Sequence, residues 1–275
     1  MLSERVAFTP GISSTATEGR LYVVSGQSLC VAYAADRGEP RVPIGPVPRQ
    51  ALYLGELDGA PCFTRLLADG EAPPDGTDPI ALRQLFGALP DEDFGIAGRA
   101  LGITAWDRDH RYCGRCAAPT ERSQTERVRT CSRCGFASYP RLSPAIIALI
   151  ERDGRALLAR NARFPLPFFS TLAGFVEVGE SLEHAVAREI REEAGIEIGD
   201  IRYFGSQPWP FTGSLMIGFT ARWAAGEIVG DPTEIADADW FPPDELPRIP
   251  PKLSIARELI DDFVRRHGGT PRDER

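Results

Sequence analysis

The sequence predicts an α+β fold with a metal-stapled segment in its middle. Three observations predict it. Short strand-like runs, parted by Gly/Pro-rich turns, mix with a few separated helices and do not alternate with them as βαβ units. Two Cys-x-x-Cys pairs stand near the centre of the chain. One helical pattern carries carboxylates on the side that should face a core. Composition agrees: 275 residues, 43% hydrophobic and 25% charged, suit one or two globular domains.

The elements follow in order. In the first hundred residues, 29–34, 51–57 and 61–67 read as strands. Residues 79–88 and 92–108 read as helices, the second starting near Asp91 or Asp93. Beyond the cysteines, 144–151 and 155–160 read as a hairpin across Asp153-Gly154. A loop rich in Phe and Pro comes next, then a helix at about 182–194 and strands near 201–205 and 214–224. A turn over 226–232, a strand near 234–241 and a helix at about 252–266 complete the pattern. No internal repeat is visible. The division expected is an N-terminal α+β domain over 1–108, a cysteine segment over 109–140, a third domain over 141–267 and a flexible tail over 268–275.

Composition excludes several chemistries. The net charge of −8 rules out a broadly basic coat for nucleic acid. Lys252 is the only lysine, which argues against Schiff-base and P-loop chemistry. His110, His184 and His267 form no nucleophile–base pattern. The N-terminus lacks a signal-peptide pattern, and no apolar run reaches the roughly 20 residues that span a bilayer. A cytoplasmic protein with no membrane partner is expected.

Fourteen residues lie between Cys113-Gly-Arg-Cys116 and Cys131-Ser-Arg-Cys134. Each tight turn presents two thiolates, and two turns complete a tetrahedral zinc shell. A redox motif would need no duplicate, and disulfides are rare in a cytosolic chain. Four thiolates close the shell, so one structural zinc per chain is expected. Cys30 and Cys62 read as small buried hydrophobes.

The other cluster runs from Gly174 to Ile196. Ser181 is a candidate N-cap and Gly195 a helix-ending glycine. Leu182, Ala185, Val186, Ile190 and Ala194 form an inward stripe. Glu189 and Glu193 fall about 20° to either side of Leu182 on the wheel, with Glu192 at the stripe's edge. Arg188 is expected to point away from the stripe, near Glu192, and Arg191 to be exposed. Carboxylates packed inward repel one another and cost several kcal/mol if uncompensated. Divalent cations remove both problems, and an all-oxygen set favours Mg²⁺ or Mn²⁺.

These residues match the Nudix box, Gly-x5-Glu-x7-Arg-Glu-U-x-Glu-Glu-x-Gly-U, at all nine defined positions over 23 residues. The chain therefore resembles the Nudix hydrolases. The resemblance implies a mixed sheet sandwiched by helices and hydrolysis of a nucleoside diphosphate linked to another group. It also implies catalysis by Glu189, Glu192 and Glu193 as metal carboxylates, aided by the main-chain carbonyl of Ala173. The general base is left open among the carboxylates, with Glu192 preferred. The segment Ser206-Gln-Pro-Trp-Pro-Phe-Thr-Gly-Ser214 is similar to the SQPWPFPxS array of NADH pyrophosphatases, with Thr212 in place of a proline. That subfamily includes enzymes that remove NAD caps from RNA, and it carries a four-cysteine ribbon followed by Tyr-Pro-Arg, here Tyr139-Pro140-Arg141.

By the same resemblance, Phe175 and a partner subunit's Tyr139 sandwich the adenine, so a homodimer is implied. Gln207, Trp209, Ser214 and Ala256 join the NAD(H) site, and Glu234 adds a metal carboxylate. The function implied is metal-dependent cleavage of NAD(H) to NMN(H) and AMP, and of 5′-NAD-capped RNA to NMN and 5′-monophosphate RNA. Two rivals stand beside it. One is a Nudix enzyme for ADP-ribose or another nucleoside diphosphate derivative. The other is a nucleic-acid-binding zinc ribbon with a vestigial Nudix domain, suggested by Arg115, Arg122, Arg127, Arg129 and Arg133.

Overall fold

The structure is a computed structural model that describes residues 8–33, 38–162, 168–230 and 232–272. The chain divides into two compact units, 1–141 with 210–213, and 142–209 with 214–275.

The first unit holds β1 (Phe8–Pro10), β2 (Glu18–Ser25), β3 (Ser28–Tyr33), β4 (Pro40–Arg41), β5 (Ile44–Pro46), β6 (Leu52–Leu57), β7 (Ala60–Leu66) and β8 (Thr77–Ala81). They form one sheet in the order β1-β6-β7-β2-β3-β4, with β5 on β2 and β8 on β3. A long helix, α1 (Asp91–Asp109), packs on it through Ile96, Ala97, Ala100, Leu101 and Ile103. Three acidic residues in the first turn of α1 favour its N-terminus. Residues 79–88 are not a helix. They are the end of β8 followed by a single 3-10 turn at Leu82–Leu85, because Pro79 lies within a strand paired to β3 and Leu82 and Leu85 then drop into the core.

The cysteine segment adds β9 (Thr120–Arg122), β10 (Arg129–Cys131) and β11 (Ala137–Ser138), a three-stranded antiparallel sheet. Its two knuckles are built alike. The N–H of Ala117 returns to the Cys113 carbonyl, and that of Gly135 to the Cys131 carbonyl. Both turning residues are left-handed, Ala117 at φ 58 and Gly135 at φ 70. A Cβ in that region is strained; glycine is not.

The second unit contains β12 (Ser143–Arg152), β13 (Arg155–Asn161), β14 (Leu172–Phe175), α2 (Leu182–Ala194), β15 (Glu197–Trp209), β16 (Ser214–Ala225), β17 (Ile235–Phe241) and α3 (Ile255–Arg266). The sheet order is β15-β16-β12-β13-β17, with β14 on β12. Alternate side chains of β12 and β13 face opposite ways. Ile146, Ala148, Ile150, Leu157 and Ala159 pack with α2, while Ile147, Leu149, Ala156 and Leu158 pack with α3. The mixed sheet is thus sandwiched between two helices, and the hairpin and both helices stand where the sequence put them. Among the described residues no helix is long and apolar enough to cross a membrane. Of the expected tail, Arg272 is held by a hydrogen bond from the buried Arg257 guanidinium to its carbonyl, and 273–275 lie outside the described residues. The Phe/Pro-rich loop likewise falls outside them over 163–167.

The two units share a topology, so the chain does contain an internal repeat. In the first, β6-β7-β2-β3-β8 pair antiparallel, parallel, antiparallel and antiparallel. In the second, β15-β16-β12-β13-β17 pair in the same sequence of directions. β5 and β14 add to β2 and β12 alike, and a helix follows each last strand. The repeat resides in backbone pairing and not in side-chain identity, which is why the sequence hides it. The first sheet adds β1 on β6 and β4 on β3, and only residues 47–51 separate its β5 from β6, where the second unit inserts α2.

Ala117→Gly should raise the unfolding free energy by about 1 kcal/mol, the typical cost of a Cβ in the left-handed region. Denaturant melts of the zinc-loaded protein check it; an unchanged midpoint would show that the knuckle relieves the strain otherwise.

Candidate active site and metal centre

The four cysteines converge. Cys113 and Cys134 Sγ are 3.6 Å apart, Cys116 and Cys131 3.5 Å, and Cys116 and Cys134 3.6 Å. Bonds of about 2.3 Å from a tetrahedral zinc set thiolates about 3.8 Å apart, so the residues fit that ion. Backbone N–H groups of Cys134 and Arg133 pull the Cys131 thiol down to about 6 against its desolvation, favouring a thiolate. All six cysteines are free thiols.

The ribbon's arginines are largely used within the fold. Asp107 of α1 is buried and accepts from Arg122 Nε at 2.6 Å and Arg129 Nη1 at 2.6 Å. Arg127 donates to the carbonyls of Gly11 and Tyr53 at 2.5 and 2.8 Å, and Arg115 lies over Phe136. The basic run therefore mostly anchors the ribbon to the first unit's strands and α1.

The carboxylate site is built on α2. Ser181 caps it, accepting from the His184 N–H at 3.2 Å, and Gly195 ends it at φ 72. Glu193 is 7% exposed, and its Oε2 is buried with no hydrogen-bond partner. Burial, then the charges of Glu189 and Glu234, push it up to about 8, against a hydrogen bond from the Ala173 backbone. Burial also pushes Glu189 up, with Glu192 and Glu234 adding to it and Arg188 opposing. Glu234 stands just before β17, and its carbonyl takes the Ala162 N–H at 2.7 Å. Glu189, Glu192, Glu193, Glu234 and Ala173 are thus brought together.

Gly174 explains itself here. A Cβ built on it would lie 1.9 Å from the Glu189 Cδ and about as close to both carboxylate oxygens. The carboxylate occupies the space that any other residue's side chain would fill.

Arg188 does not point away. It donates to Glu180 Oε1 and Oε2, each at 2.9 Å, to Glu189 Oε1 at 2.9 Å, to Glu192 Oε2 at 3.0 Å and to the Phe175 carbonyl at 2.9 Å. Its length lets it wrap to the sheet side, where the carboxylates attract it. Glu180 is held down to about 2, chiefly by this guanidinium. The contact of Arg188 with Glu192, which it orients, is as expected; its hold on Glu180 and Glu189 is not, although the fixed Glu180–Arg188 spacing carried that signal. Arg191 is exposed and pairs with Glu197.

Hard oxygen donors, an orphaned buried carboxylate oxygen and mutual repulsion all suit a divalent cation. Among the described residues only the cysteines bring three or more ligand atoms within 4.8 Å of one another. The carboxylate set is open, as befits an ion completed by water and substrate oxygens.

The remaining candidates are dispersed. Phe175 is 57% exposed at the end of β14, and Tyr139 is 54% exposed in the first unit. Gln207 is engaged: its Nε2 donates to the Leu253 carbonyl and its Oε1 accepts from the Ile255 N–H, both at 2.8 Å. It clasps the start of α3 and does not stand free. Ala256 is buried in the α3 core, Ser214 is buried opposite Ser143, and Trp209 is half-buried at the end of β15. Phe211 packs into the first unit's core with Arg83 over its ring at 4.0 Å.

Three families match in succession: the NADH pyrophosphatase-like rudimentary NUDIX domain over 18–106, the NADH pyrophosphatase zinc ribbon domain over 108–139 and the NUDIX domain over 140–263. The NAD-capped RNA hydrolase NudC of Deinococcus radiodurans is 46% identical over 217 residues, 78% of this chain and 77% of that protein. The chain belongs to the NADH pyrophosphatase branch of the Nudix hydrolases. Proteins of the same name from Stutzerimonas stutzeri and Pseudomonas aeruginosa are 46% and 44% identical over similar shares, 79% of both chains and 78% and 77% respectively. A crystal structure of a NUDIX hydrolase from Nitrosomonas europaea superposes with a TM-score of 0.50 at 23% identity, over 58% of this chain and 94% of that one, and shows the shared fold. The first unit's helix-deleted sheet is the structural counterpart of the rudimentary domain in this Nudix branch.

In protein dialysed free of divalent cations, Glu193 deprotonates near 8 in the fold and near 4.5 when unfolded. Its raised value means that stability is full below about pH 4.5 and falls as pH rises toward 8. Glu193→Gln should abolish this loss. Urea melts near pH 5 and pH 8 should show the wild type falling relative to the variant, with added Mg²⁺ closing the gap. Parallel pH dependence in both proteins would contradict the burial of this charge.

Proposed function

We propose that the chain hydrolyses the pyrophosphate of NAD(H) to NMN(H) and AMP, and that of 5′-NAD-capped RNA to NMN and 5′-monophosphate RNA. The observation that carries this is the buried Glu193 carboxylate, its Oε2 without a partner, beside Glu189 on the one helix that the second sheet has and the first lacks. The names of the similar proteins and the Ser206–Ser214 array support NAD as the substrate class.

A Mg²⁺ or Mn²⁺ bound at Glu189, Glu193, Glu234 and the Ala173 carbonyl would neutralise phosphate charge and acidify a water. The chain's own groups do the rest. Arg188 fixes Glu189 and Glu192 and, through the Phe175 carbonyl, the backbone that carries the Phe175 ring. Glu192 keeps its side chain 58% exposed, tethered to Arg188, and is placed to take the proton of the attacking water. The Phe175 ring stacks on the adenine, with Tyr139 contributed by the partner in a homodimer. Exposed Leu142, Phe175 and Val178 near the paired ends of β12 and β14 give such a dimer an apolar surface. Gln207 holds the start of α3, and with it Ala256, through both ends of its amide. The four thiolates hold a structural zinc, and six cysteines without a disulfide suit the reducing cytoplasm.

Product masses from NADH, NAD and a short 5′-NAD-RNA should show NMN(H) with AMP or 5′-monophosphate RNA. Faster turnover of ADP-ribose than of any NAD substrate would overturn the assignment. Glu193→Gln should fold, keep its NADH affinity and lose on the order of 10²-fold in turnover, the scale of one preorganised electrostatic contact. Glu183→Gln, on the exposed side of α2, is the control and should be nearly silent.

Gly174→Ala tests the position of Glu189. The new methyl displaces the carboxylate by roughly 1 Å, and turnover should fall on the order of 10²-fold while thermal unfolding stays cooperative. Wild-type turnover would show that Glu189 needs no fixed place.

A further inference from the structure

The first unit carries a cleft that the hydrolytic site does not use. Its walls are Gln50 and Leu52 around the start of β6, Arg65 and Leu66 at the end of β7, Thr104 and Asp107 on α1, and Arg111 and Arg122 from the ribbon side. The cleft holds about 40 Å³, more than the roughly 10–15 Å³ that one water needs by the same measure, and it has room for the oxygens of one tetrahedral anion.

Its charge is unbalanced. Asp107 is already shared by Arg122 and Arg129, and Arg65 is paired with Glu71. Three guanidinium groups, Arg65, Arg111 and Arg122, thus line the cleft with one carboxylate, Asp107. Arg111 has no hydrogen-bond or ion-pair partner for its guanidinium among the described residues, and Gln50 has none for its amide. Arg122 uses Nε and Nη2 on Asp107 and retains Nη1. The Thr104 hydroxyl donates to the Ala100 carbonyl at 2.8 Å, so its lone pairs are spare while its proton is not. The free groups that remain are cationic or amide donors, the set that receives phosphate oxygens. Asp107 does not repel an anion strongly, because two arginines hold its charge.

We propose that this cleft binds a phosphate group, and that the phosphate is a backbone phosphodiester of a single RNA strand. The strand assignment rests on the NAD-capped RNA reading above; the anion site does not. The cleft lies outside the box and its carboxylates, so it would act on substrates with a polynucleotide body and be silent toward free NADH.

The probe is a single-stranded RNA decamer bearing a plain 5′-hydroxyl, titrated by fluorescence anisotropy against the zinc-loaded protein over a range of salt. Arg111→Glu is the first variant, because Arg111 is exposed and unpartnered and its replacement leaves the fold intact. Gln50→Glu is the second and touches a different wall. Each should weaken decamer binding about tenfold, and loss of the one phosphate contact should lower the slope of log K against log salt by about 1. NADH turnover should be unchanged in both. Unaltered decamer affinity and salt slope in both variants would overturn the proposal. Protection of the cleft by inorganic phosphate, with no decamer binding at all, would overturn the strand assignment and leave an isolated anion site. Arg111-dependent decamer binding by a protein that fails to cleave 5′-NAD-RNA would uphold the cleft and sink the functional reading instead.

Discussion

Burial, joined by the charges of neighbouring carboxylates, raises the cost of ionising the two inward acids of α2: Glu192 and Glu234 act on Glu189, and Glu189 and Glu234 on Glu193. Two devices keep that arrangement folded. Arg188 gathers Glu180, Glu189 and Glu192 through one planar guanidinium, and Gly174 vacates the space that the Glu189 carboxylate enters. Neither device reaches Glu193, whose Oε2 is left alone. A structure that pins three acids and orphans a fourth is incomplete without a cation or a proton. Burial that would be a defect in a structural helix is here the means of binding.

The two sheets make the same point by comparison. Both follow one path of pairing, and both bury one long helix at the end of the path. The first joins β5 to β6 through five residues and buries no carboxylate cluster there; the second inserts α2. The sheet alone is therefore not what performs the chemistry. It supplies β14, whose backbone meets α2 at Ala173 and Gly174, and the helix supplies the acids.

Much of the second unit was legible because its signals are local. The cap at Ser181, the glycine at 195 and the 3.6-residue stripe fix α2 without reference to the rest of the chain. Asp153-Gly154 marks its hairpin in the same way. The wheel also placed Glu189 and Glu193 inward, and both are there. What the sequence hid depends on reach and on pairing. Arg188 sits off the stripe by angle, yet its long side chain returns to the carboxylates. Residues 79–88 carry helical spacing, but pairing with β3 holds the first of them in a strand, as tertiary context overrides propensity. Gln207 reads as a free amide until α3, nearly fifty residues later, meets both its ends. The repeat of the sheet was invisible because parallel pairing joins segments far apart and constrains only burial, not identity.

The two metal-type sites divide the labour by the chemistry of their donors. Soft thiolates within 4.8 Å of one another close on an ion and leave no position for a substrate. Such a site can stiffen a ribbon of eight stranded residues that has little core of its own. The hard carboxylates stay open, with one oxygen unpaired and one acid exposed at the rim. An ion held that way keeps places for water and phosphate oxygens. The ribbon's arginines follow the same division. Those paired with Asp107 tie the ribbon to α1, and Arg111, which pairs with no carboxylate among the described residues, is left for solvent or for an anion.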